Sequence, residues 1–249
     1  MKKIRITAAI IIVLIISALI LFINSSFGKL LLIDYHGYTE IGSRIYLDKE
    51  YDPSITEDIL ELAAESYDRA EGFWGELQSE PVIIFSDNQQ NLSKLGLNVN
   101  SASTDLFVFD GAITYIAIYI SNCGVDNLAH EISHAELYER LYKGKYSTGQ
   151  LVPMWFNEGL AMQVDYRETY DEDAWTDMIA VSGGPKALSE LETAAQFFAG
   201  DADTRRDNYI TARHEVMTWY EANGHDRLLE LIERINQGRM FGELYETAD

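Results

Sequence analysis

Cysteine is nearly absent from this sequence, and its scarcity excludes several kinds of site. The 249 residues contain a single cysteine, Cys123, and four prolines. One thiol cannot form an intrachain disulfide, and it cannot by itself supply the cysteine ligands of a typical closed structural zinc site. We therefore interpret Cys123, in the segment Ser121-Asn122-Cys123-Gly124, as a structural thiol rather than as a ligand or a redox switch.

Basic residues are also scarce. Lysine and arginine together number 19, against 40 aspartates and glutamates, and the net charge is −21. All of the acidic residues and 16 of the basic ones follow residue 24, so this part of the chain carries a net charge of −24. Such a charge repels nucleic acid and anionic membrane surfaces. It would attract basic substrates, but we interpret it as a feature that keeps the protein in solution.

The N-terminus carries a long apolar run. Three basic residues lie among the first five, and residues 6–23 then include only two polar side chains. Eighteen such residues can span the hydrocarbon core of a bilayer, and the positive-inside rule places the N-terminus in the cytoplasm. We predict an uncleaved signal anchor over residues 1–27 and one extracytoplasmic domain over residues 28–249. The alternative is a cleaved signal peptide, which would make the protein secreted.

Histidine is scarce as well, yet two of the five histidines form the pattern His130-Glu131-Ile132-Ser133-His134. On a helix, residues four apart lie on one face, so both imidazoles can reach a single metal ion. Glu131 lies just off that face, where its carboxylate can reach a water molecule at the metal without being a ligand. Asp126 and Asn127 are typical capping residues, and the apolar pattern after them predicts a helix over residues 126–142.

A catalytic zinc site needs a third protein ligand and an open fourth position. The segment Trp155-Phe156-Asn157-Glu158-Gly159-Leu160-Ala161, on a second predicted helix, offers Glu158. We predict that His130, His134 and Glu158 bind one zinc ion per chain. The ligand types and their spacing also admit manganese or cobalt.

The part of the chain before these motifs mixes helices with strands. Apolar residues at helical spacing predict a long helix over residues 53–77, capped by Asp52 or Ser54. Asp110-Gly111 lies between two β-forming runs, which predicts a hairpin. The predicted strands are residues 44–47, 81–85, 106–109 and 113–120.

The remaining segments predict a loop or short helix in the first half of the chain and two helices near the C-terminus. Residues 89–104 are polar and predict a loop or a short helix. Near the C-terminus, two amphipathic helices are predicted over roughly residues 210–222 and 226–237, separated at Gly224. Mixed strands followed by helices predict an α+β fold.

Taken together, the two motifs resemble those of the gluzincin zinc peptidases. H-E-I-S-H and W-F-N-E-G-L-A are most similar to small bacterial relatives called peptidase MA-like, and more distantly to aminopeptidase N-like enzymes. The resemblance covers about residues 80–240. It implies a zincin-like fold in which His130, His134 and Glu158 bind zinc and Glu131 is the general base. It also implies that the strand over residues 113–120 is the sheet edge along which a peptide substrate is aligned.

The resemblance implies one further catalytic residue. In aminopeptidase N-like enzymes, a tyrosine at the start of a comparable helix stabilises the tetrahedral intermediate through its hydroxyl group. Tyr209, which we predict to begin a helix, would take this role, with His214 as the alternative and a packing role also open. The G-x-M-E-N strand that captures a free substrate N-terminus in aminopeptidases is missing from the sequence, which favours an endopeptidase.

The sequence therefore predicts a membrane-anchored, extracytoplasmic zinc peptidase that acts on peptide or protein substrates and does not bind nucleic acid. The alternative is a catalytically inactive zinc-binding sensor or interaction module on the same fold. Glu131 favours the enzyme, since an inactive protein has no need of the base. Asp165, seven residues past Glu158, could orient a zinc-bound imidazole, but we interpret it as a surface carboxylate.

Overall fold

Short strands alternate with helices in the first half of the chain, and the described residues of the second half contain helices without strands. A computed structural model describes residues 2–97, 102–108, 112–142 and 150–245, with side chains described for these ranges except residues 2–9, 26–27, 102–108, 112–113 and 142. The described α-helices are α1 (Lys2–Asn24), α2 (Ser26–Leu31), α3 (Thr56–Trp74), α4 (Gln89–Leu95), α5 (Val125–Tyr142), α6 (Met154–Ala161), α7 (Glu172–Ser182), α8 (Ala194–Phe197), α9 (Ala202–Asn236) and α10 (Phe241–Tyr245). The described strands are β1 (Tyr38–Gly42), β2 (Ile45–Asp48), β3 (Val82–Phe85), β4 (Ala102–Val108) and β5 (Ala112–Ile118). Short 3-10 helices cover Ile33–His36, Pro53–Ile55, Ile120–Asn122, Glu168–Tyr170 and Leu188–Glu190.

The five described strands form one mixed sheet in the order β1-β2-β3-β5-β4. Strands β2, β3 and β5 run parallel, with Phe85 opposite both Leu47 and Ile118. Strands β1 and β4 run antiparallel to their neighbours and form the two edges of the described sheet. The central strand β3 is apolar and almost fully buried, as expected for a strand that is covered on both faces. The predicted α+β class is confirmed.

Helix α5 is the central helix of the molecule. Every side chain from Leu128 to Leu137 is buried. Leu128 and Ile132 pack into the apolar core beneath the sheet, whereas Leu137 and Leu141 pack into a second core formed mainly by α6, α9 and α10. A helix buried on all sides must have neighbours all round it. Because α5 belongs to both cores, its side chains lie at the junction between the sheet and the helical part.

Helix α6 packs unusually closely against α9. A Cβ atom on Gly159 would lie 2.5 Å from the carbonyl oxygen of Ala212 and 2.5 Å from a methyl carbon of Val216. No side chain larger than that of glycine fits here without a shift of backbone. This close approach fixes the face of α6 that turns towards α5.

The long helix α9 contains a break that the sequence predicts. Gly224 has φ 79° and ψ 175°, which interrupts the helix at the expected position. The prediction that Tyr209 begins this helix is wrong, because α9 begins at Ala202 after Asp201, whose carboxylate accepts a hydrogen bond from the backbone N–H of Thr204 at 2.9 Å. The first turns of α9 are largely exposed and polar, so they lack the apolar residues at helical spacing from which a helix is predicted.

Most of the other predicted elements are confirmed with shifted ends. The helix predicted over residues 126–142 is α5, and the strands of the predicted hairpin are β4 and β5, while the turn residues 109–111 lie outside the described residues. The segment 89–104 contains α4 and the start of β4. The prediction that residues 113–120 form the sheet edge is wrong, because β5 lies between β3 and β4. The edge strand on that side is β4, which packs against α5.

The capping role predicted for Asp126 is also wrong. Helix α5 begins one residue earlier, at Val125, so Asp126 lies in the first turn. Its carboxylate instead accepts hydrogen bonds from the Arg69 guanidinium and from the backbone N–H of Tyr166. Asp126 therefore ties α3 and the loop after α6 to the start of α5.

The N-terminal helix α1 has exposed apolar side chains. Between Ile10 and Ile23, its large apolar side chains are 39% to 73% exposed. Among the residues that the structure describes fully, no helix has both the length and the hydropathy needed to cross a membrane.

Candidate metal centre

Two imidazole rings meet on the buried face of α5. His130 and His134 are one helical turn apart, and their Nε2 atoms lie 3.1 Å from one another. Both residues are buried, with 6% and 7% of their surfaces exposed. Two ring nitrogens at this distance must share either a proton or a cation, because two facing lone pairs repel.

The carboxylate of Glu158 completes a triangle with these nitrogens. Its Oε2 atom lies 3.4 Å from Nε2 of His130 and 3.5 Å from Nε2 of His134. This oxygen is buried and has no hydrogen-bond partner. Helix α6 brings Glu158 to α5 across the junction between the two cores, so the three predicted ligands converge in the structure.

The dimensions of the triangle fit a zinc site. Zinc binds imidazole nitrogen at about 2.0–2.1 Å, so two ligands at the tetrahedral angle are about 3.3–3.4 Å apart. The three observed separations, 3.1, 3.4 and 3.5 Å, lie close to that value. Among the described residues, no other group of three histidine, cysteine or acidic side chains converges in this way. The unpartnered oxygen and the facing nitrogens are what a bound cation would satisfy.

Asn157 holds one of the imidazoles in place. Its Oδ1 atom lies 2.9 Å from Nδ1 of His134, and its Nδ2 donates to the hydroxyl group of Tyr138 at 3.1 Å. With the amide in this orientation, Oδ1 accepts the Nδ1 proton of His134. The Nε2 lone pair of His134 is therefore free to bind a metal.

Asp165 faces the other imidazole. Its Oδ2 atom lies 3.6 Å from Nδ1 of His130, slightly longer than a hydrogen bond. The carboxylate is completely buried, so the interpretation of Asp165 as a surface residue is wrong. Arg167 makes this burial possible, because its guanidinium binds both carboxylate oxygens, with Nε 2.8 Å from Oδ1. The alternative role, orienting His130, agrees with this geometry.

The charges around the triangle favour a bound cation. Burial lowers the pKa of His130, but the Asp165 and Glu158 carboxylates raise it by more, so the net shift is upward. Burial raises the pKa of Glu158, but the imidazoles of His134 and His130 lower it by more, so the net shift is downward. These opposite shifts show that positive charge at the imidazoles and negative charge at Glu158 stabilise one another, which is the electrostatic setting that suits a divalent cation.

Glu131 and Tyr209 lie beside the three predicted ligands. Glu131 is buried and is not one of the converging groups, but its negative charge raises the pKa values of both His130 and Tyr209. The ring of Tyr209 meets that of His130 edge-on, with 6.2 Å between the ring centres. Burial raises the pKa of Tyr209 far above its ordinary value, and Glu158 and Glu131 raise it further. The hydroxyl group therefore keeps its proton and can donate a hydrogen bond.

His214 lies against a different part of the protein. Its ring stacks on the indole of Trp175 with 3.7 Å between the ring centres, and its Nδ1 lies 3.3 Å from a carboxylate oxygen of Glu172. Both partners belong to α7. The structure brings Tyr209, and not His214, to the predicted ligands. Cys123 is a free, half-buried thiol at the border of the sheet core, outside the converging group.

Two residues that support the site were missed from the sequence. Asn157 directly precedes Glu158, and its position in the second motif is a signal that could have identified it. Arg167 offered no comparable signal, because its contacts depend on the path of the loop after α6. That loop is held by the hydrogen bond from the backbone N–H of Tyr166 to Asp126 and by the Arg69 guanidinium, which lies 4.5 Å from the centre of the Tyr166 ring.

No protein-family model matches this sequence, and no curated protein sequence matches it either. Functional assignment therefore depends on the chemistry of the site. Its buried ligands, two nitrogens and one oxygen, suit a borderline divalent cation such as zinc. With three protein ligands among the described residues, a bound cation would keep a position for water or substrate.

Proposed function

We propose that this protein is a zinc-dependent peptidase of the gluzincin type and that it acts as an endopeptidase. The observation that carries the proposal is the triangle formed by His130, His134 and Glu158, in which the Glu158 Oε2 atom has no hydrogen-bond partner. Glu131 follows the first ligand directly, as a general base in such a site must. The resemblance of the two motifs to those of gluzincins supports the same assignment.

We propose a zincin-like fold for the domain. The mixed sheet, the antiparallel edge strand β4 and the pair of ligand-bearing helices α5 and α6 support it. In this arrangement β4, rather than β5, would align the substrate. An extended peptide can add to an open sheet edge through backbone hydrogen bonds, and β4 packs against the helix that carries both histidines.

Zinc held by the three ligands would act as a Lewis acid towards a peptide carbonyl and lower the pKa of water towards neutrality. Glu131 accepts a proton from the attacking water and delivers it to the leaving amine. Tyr209 donates a hydrogen bond to the carbonyl oxygen as negative charge develops there. Asn157 keeps the Nδ1 proton on His134, and its Nε2 stays available as a ligand.

We also propose that residues 1–27 anchor the protein in a membrane, with the domain outside the cytoplasm. The apolar run, the preceding basic residues and the exposed apolar side chains between Ile10 and Ile23 support this location. External protease added to spheroplasts should digest the C-terminal domain. Full protection of the C-terminus would contradict the proposed orientation.

The peptidase proposal is tested with a peptide library and the purified full-length chain. We expect cleavage within peptides, loss of cleavage with a metal chelator, and recovery on adding zinc. Glu131→Gln should keep the metal but lower turnover by roughly a hundred- to ten-thousand-fold, since an amide cannot accept the proton of water. Glu61→Gln, an exposed residue of α3, is the matched control and should cleave normally. A Glu131→Gln variant with full activity would refute the mechanism.

The Tyr209→Phe variant tests the proposed oxyanion donor independently of the general base, Glu131. The loss of one such donor typically costs roughly a hundred- to a thousand-fold in kcat, and KM should change little because the bond forms mainly in the transition state. Unchanged kcat would remove Tyr209 from the mechanism. A wild-type chain that binds zinc but cleaves no peptide would favour the alternative function, a zinc-binding sensor or interaction module.

A further inference from the structure

Arg167 is connected to the metal centre along two separate routes. The first passes through Asp165, whose buried carboxylate receives the Arg167 guanidinium on both oxygens and faces Nδ1 of His130 at 3.6 Å. A buried carboxylate without such a partner would be strongly destabilised. The plane of the guanidinium therefore sets the plane of the carboxylate, and the carboxylate in turn faces the imidazole.

The second route passes through Tyr170. The central carbon of the Arg167 guanidinium lies 4.9 Å from the centre of the Tyr170 ring, a cation–π contact. The Tyr170 ring packs against Tyr209 with 5.7 Å between the ring centres, and Tyr209 meets His130 at 6.2 Å. The two routes thus form a closed circuit of contacts that begins and ends at His130.

We propose that Arg167 is a positioning residue that orients both the metal ligand His130, through Asp165, and the phenol of Tyr209, through Tyr170. Arginine suits both routes, because its guanidinium binds both oxygens of Asp165 and places its positive charge near the Tyr170 ring. Lysine keeps the charge and can also contact a ring, but it cannot bind a carboxylate with two parallel bonds. The half of this proposal that concerns Tyr209 depends on the peptidase function proposed above, whereas the half that concerns His130 depends on metal binding alone.

The route through Asp165 is tested with Arg167→Lys in the full-length protein, and zinc affinity is measured by competition with a chromogenic chelator. We expect the Kd for zinc to rise about ten- to a hundred-fold, the range typical of residues that support metal ligands. The visible spectrum of the cobalt-substituted protein should change as well, because the geometry at His130 changes. Arg206→Lys is the matched control, since Arg206 also pairs with an aspartate, Asp207, but lies exposed on α9.

The same Arg167→Lys change, made in a protein that already carries Asp165→Asn, shows whether Arg167 acts through Asp165. In an Asp165→Asn protein, Arg167→Lys should cause no further loss of zinc affinity. An equal loss in both backgrounds, or a wild-type Kd and cobalt spectrum for Arg167→Lys, would overturn this route. Thermal unfolding of each variant establishes that the comparison is made between folded proteins.

The route through Tyr170 is tested by kinetics. Tyr170→Leu removes the ring and should lower kcat at least about ten-fold with unchanged zinc affinity and KM, while Tyr170→Phe keeps the ring and should behave as the wild type. Wild-type kcat for Tyr170→Leu would overturn this route. The zinc affinities are measurable without any peptidase activity, so absence of cleavage by the wild type would contradict the proposed function and leave the test of the Asp165 route intact.

Discussion

At the scale of single residues, Asn157 determines which nitrogen of His134 faces the candidate metal centre. Its Oδ1 atom lies 2.9 Å from Nδ1 of His134, and Tyr138 binds the other end of the amide. Partners of this kind fix the tautomer and the orientation of a ligating imidazole. The side chain is only 6% exposed, so water has little access to replace it.

Replacement of Asn157 by leucine, which has a similar shape but no acceptor, should weaken zinc binding. We expect the Kd for zinc to rise about ten- to a hundred-fold, measured by chelator competition. Asn223→Leu is a control, because the side chain of Asn223 donates its hydrogen bond to the Trp219 carbonyl oxygen on α9 and not to a predicted ligand. Equal zinc affinities for Asn157→Leu and the wild type would contradict the role given to Asn157.

The buried thiol of Cys123 provides a prediction about reactivity. Burial raises the pKa of its thiol to about 12, so almost all of the group is neutral near pH 8. The thiolate is the reactive form, and an unperturbed thiol has a pKa of about 8.5. Alkylation by iodoacetamide at pH 8 should therefore be roughly a hundred- to a thousand-fold slower in the native protein than in the unfolded protein. Similar rates in both states would show that the thiol is accessible and unperturbed.

At the scale of elements, the position of Glu158 depends on how closely α6 approaches α9. The contact leaves no space for a Cβ atom at Gly159, which would lie 2.5 Å from the Ala212 carbonyl oxygen. Any side chain here must push the two helices apart. Because Glu158 is the adjacent residue, such a shift also moves the third ligand.

Gly159→Ala should therefore lower both stability and zinc affinity. We expect a loss of about 1–3 kcal/mol in the free energy of unfolding, the usual cost of overpacking. Gly72→Ala is the matched control, because Gly72 is exposed in α3 and a Cβ atom there meets nothing within 4 Å. That change should stabilise the protein by about 0.5–1 kcal/mol. Denaturant unfolding of both variants measures the effect, and a stable Gly159→Ala protein would contradict the packing argument.

The elements also show what could be predicted from the sequence. Helix α5 and its two histidines follow from spacing within one helix, which is a local property. The order of strands is not local, since β3 pairs with β5 across more than 25 intervening residues, and the hairpin then places β4 at the edge. Residues 113–120 are largely apolar, and such a run can occur in an edge strand as well as in an inner strand. The run therefore does not reveal the position of the strand in the sheet. The burial of Asp165 cannot be predicted from the sequence for a related reason, because it depends on Arg167 and on the path of a loop.

At the scale of the whole molecule, the candidate metal centre lies where two cores meet. Helix α5 contributes side chains to the core beneath the sheet and to the helical core, and α6 belongs to the helical core alone. The three predicted ligands therefore lie on elements that belong to both cores. We interpret the net charge of −21 as a feature that keeps the protein in solution.

The central claim is that His130, His134 and Glu158 hold a single zinc ion. Elemental analysis of the purified full-length chain by mass spectrometry tests it most directly, and we predict close to one zinc per chain. The His130→Ala, His134→Ala double variant should retain almost none, whereas His225→Ala, a change outside the triangle, should retain the wild-type amount. A wild-type chain that binds no zinc, or a double variant that keeps stoichiometric zinc, would contradict the claim.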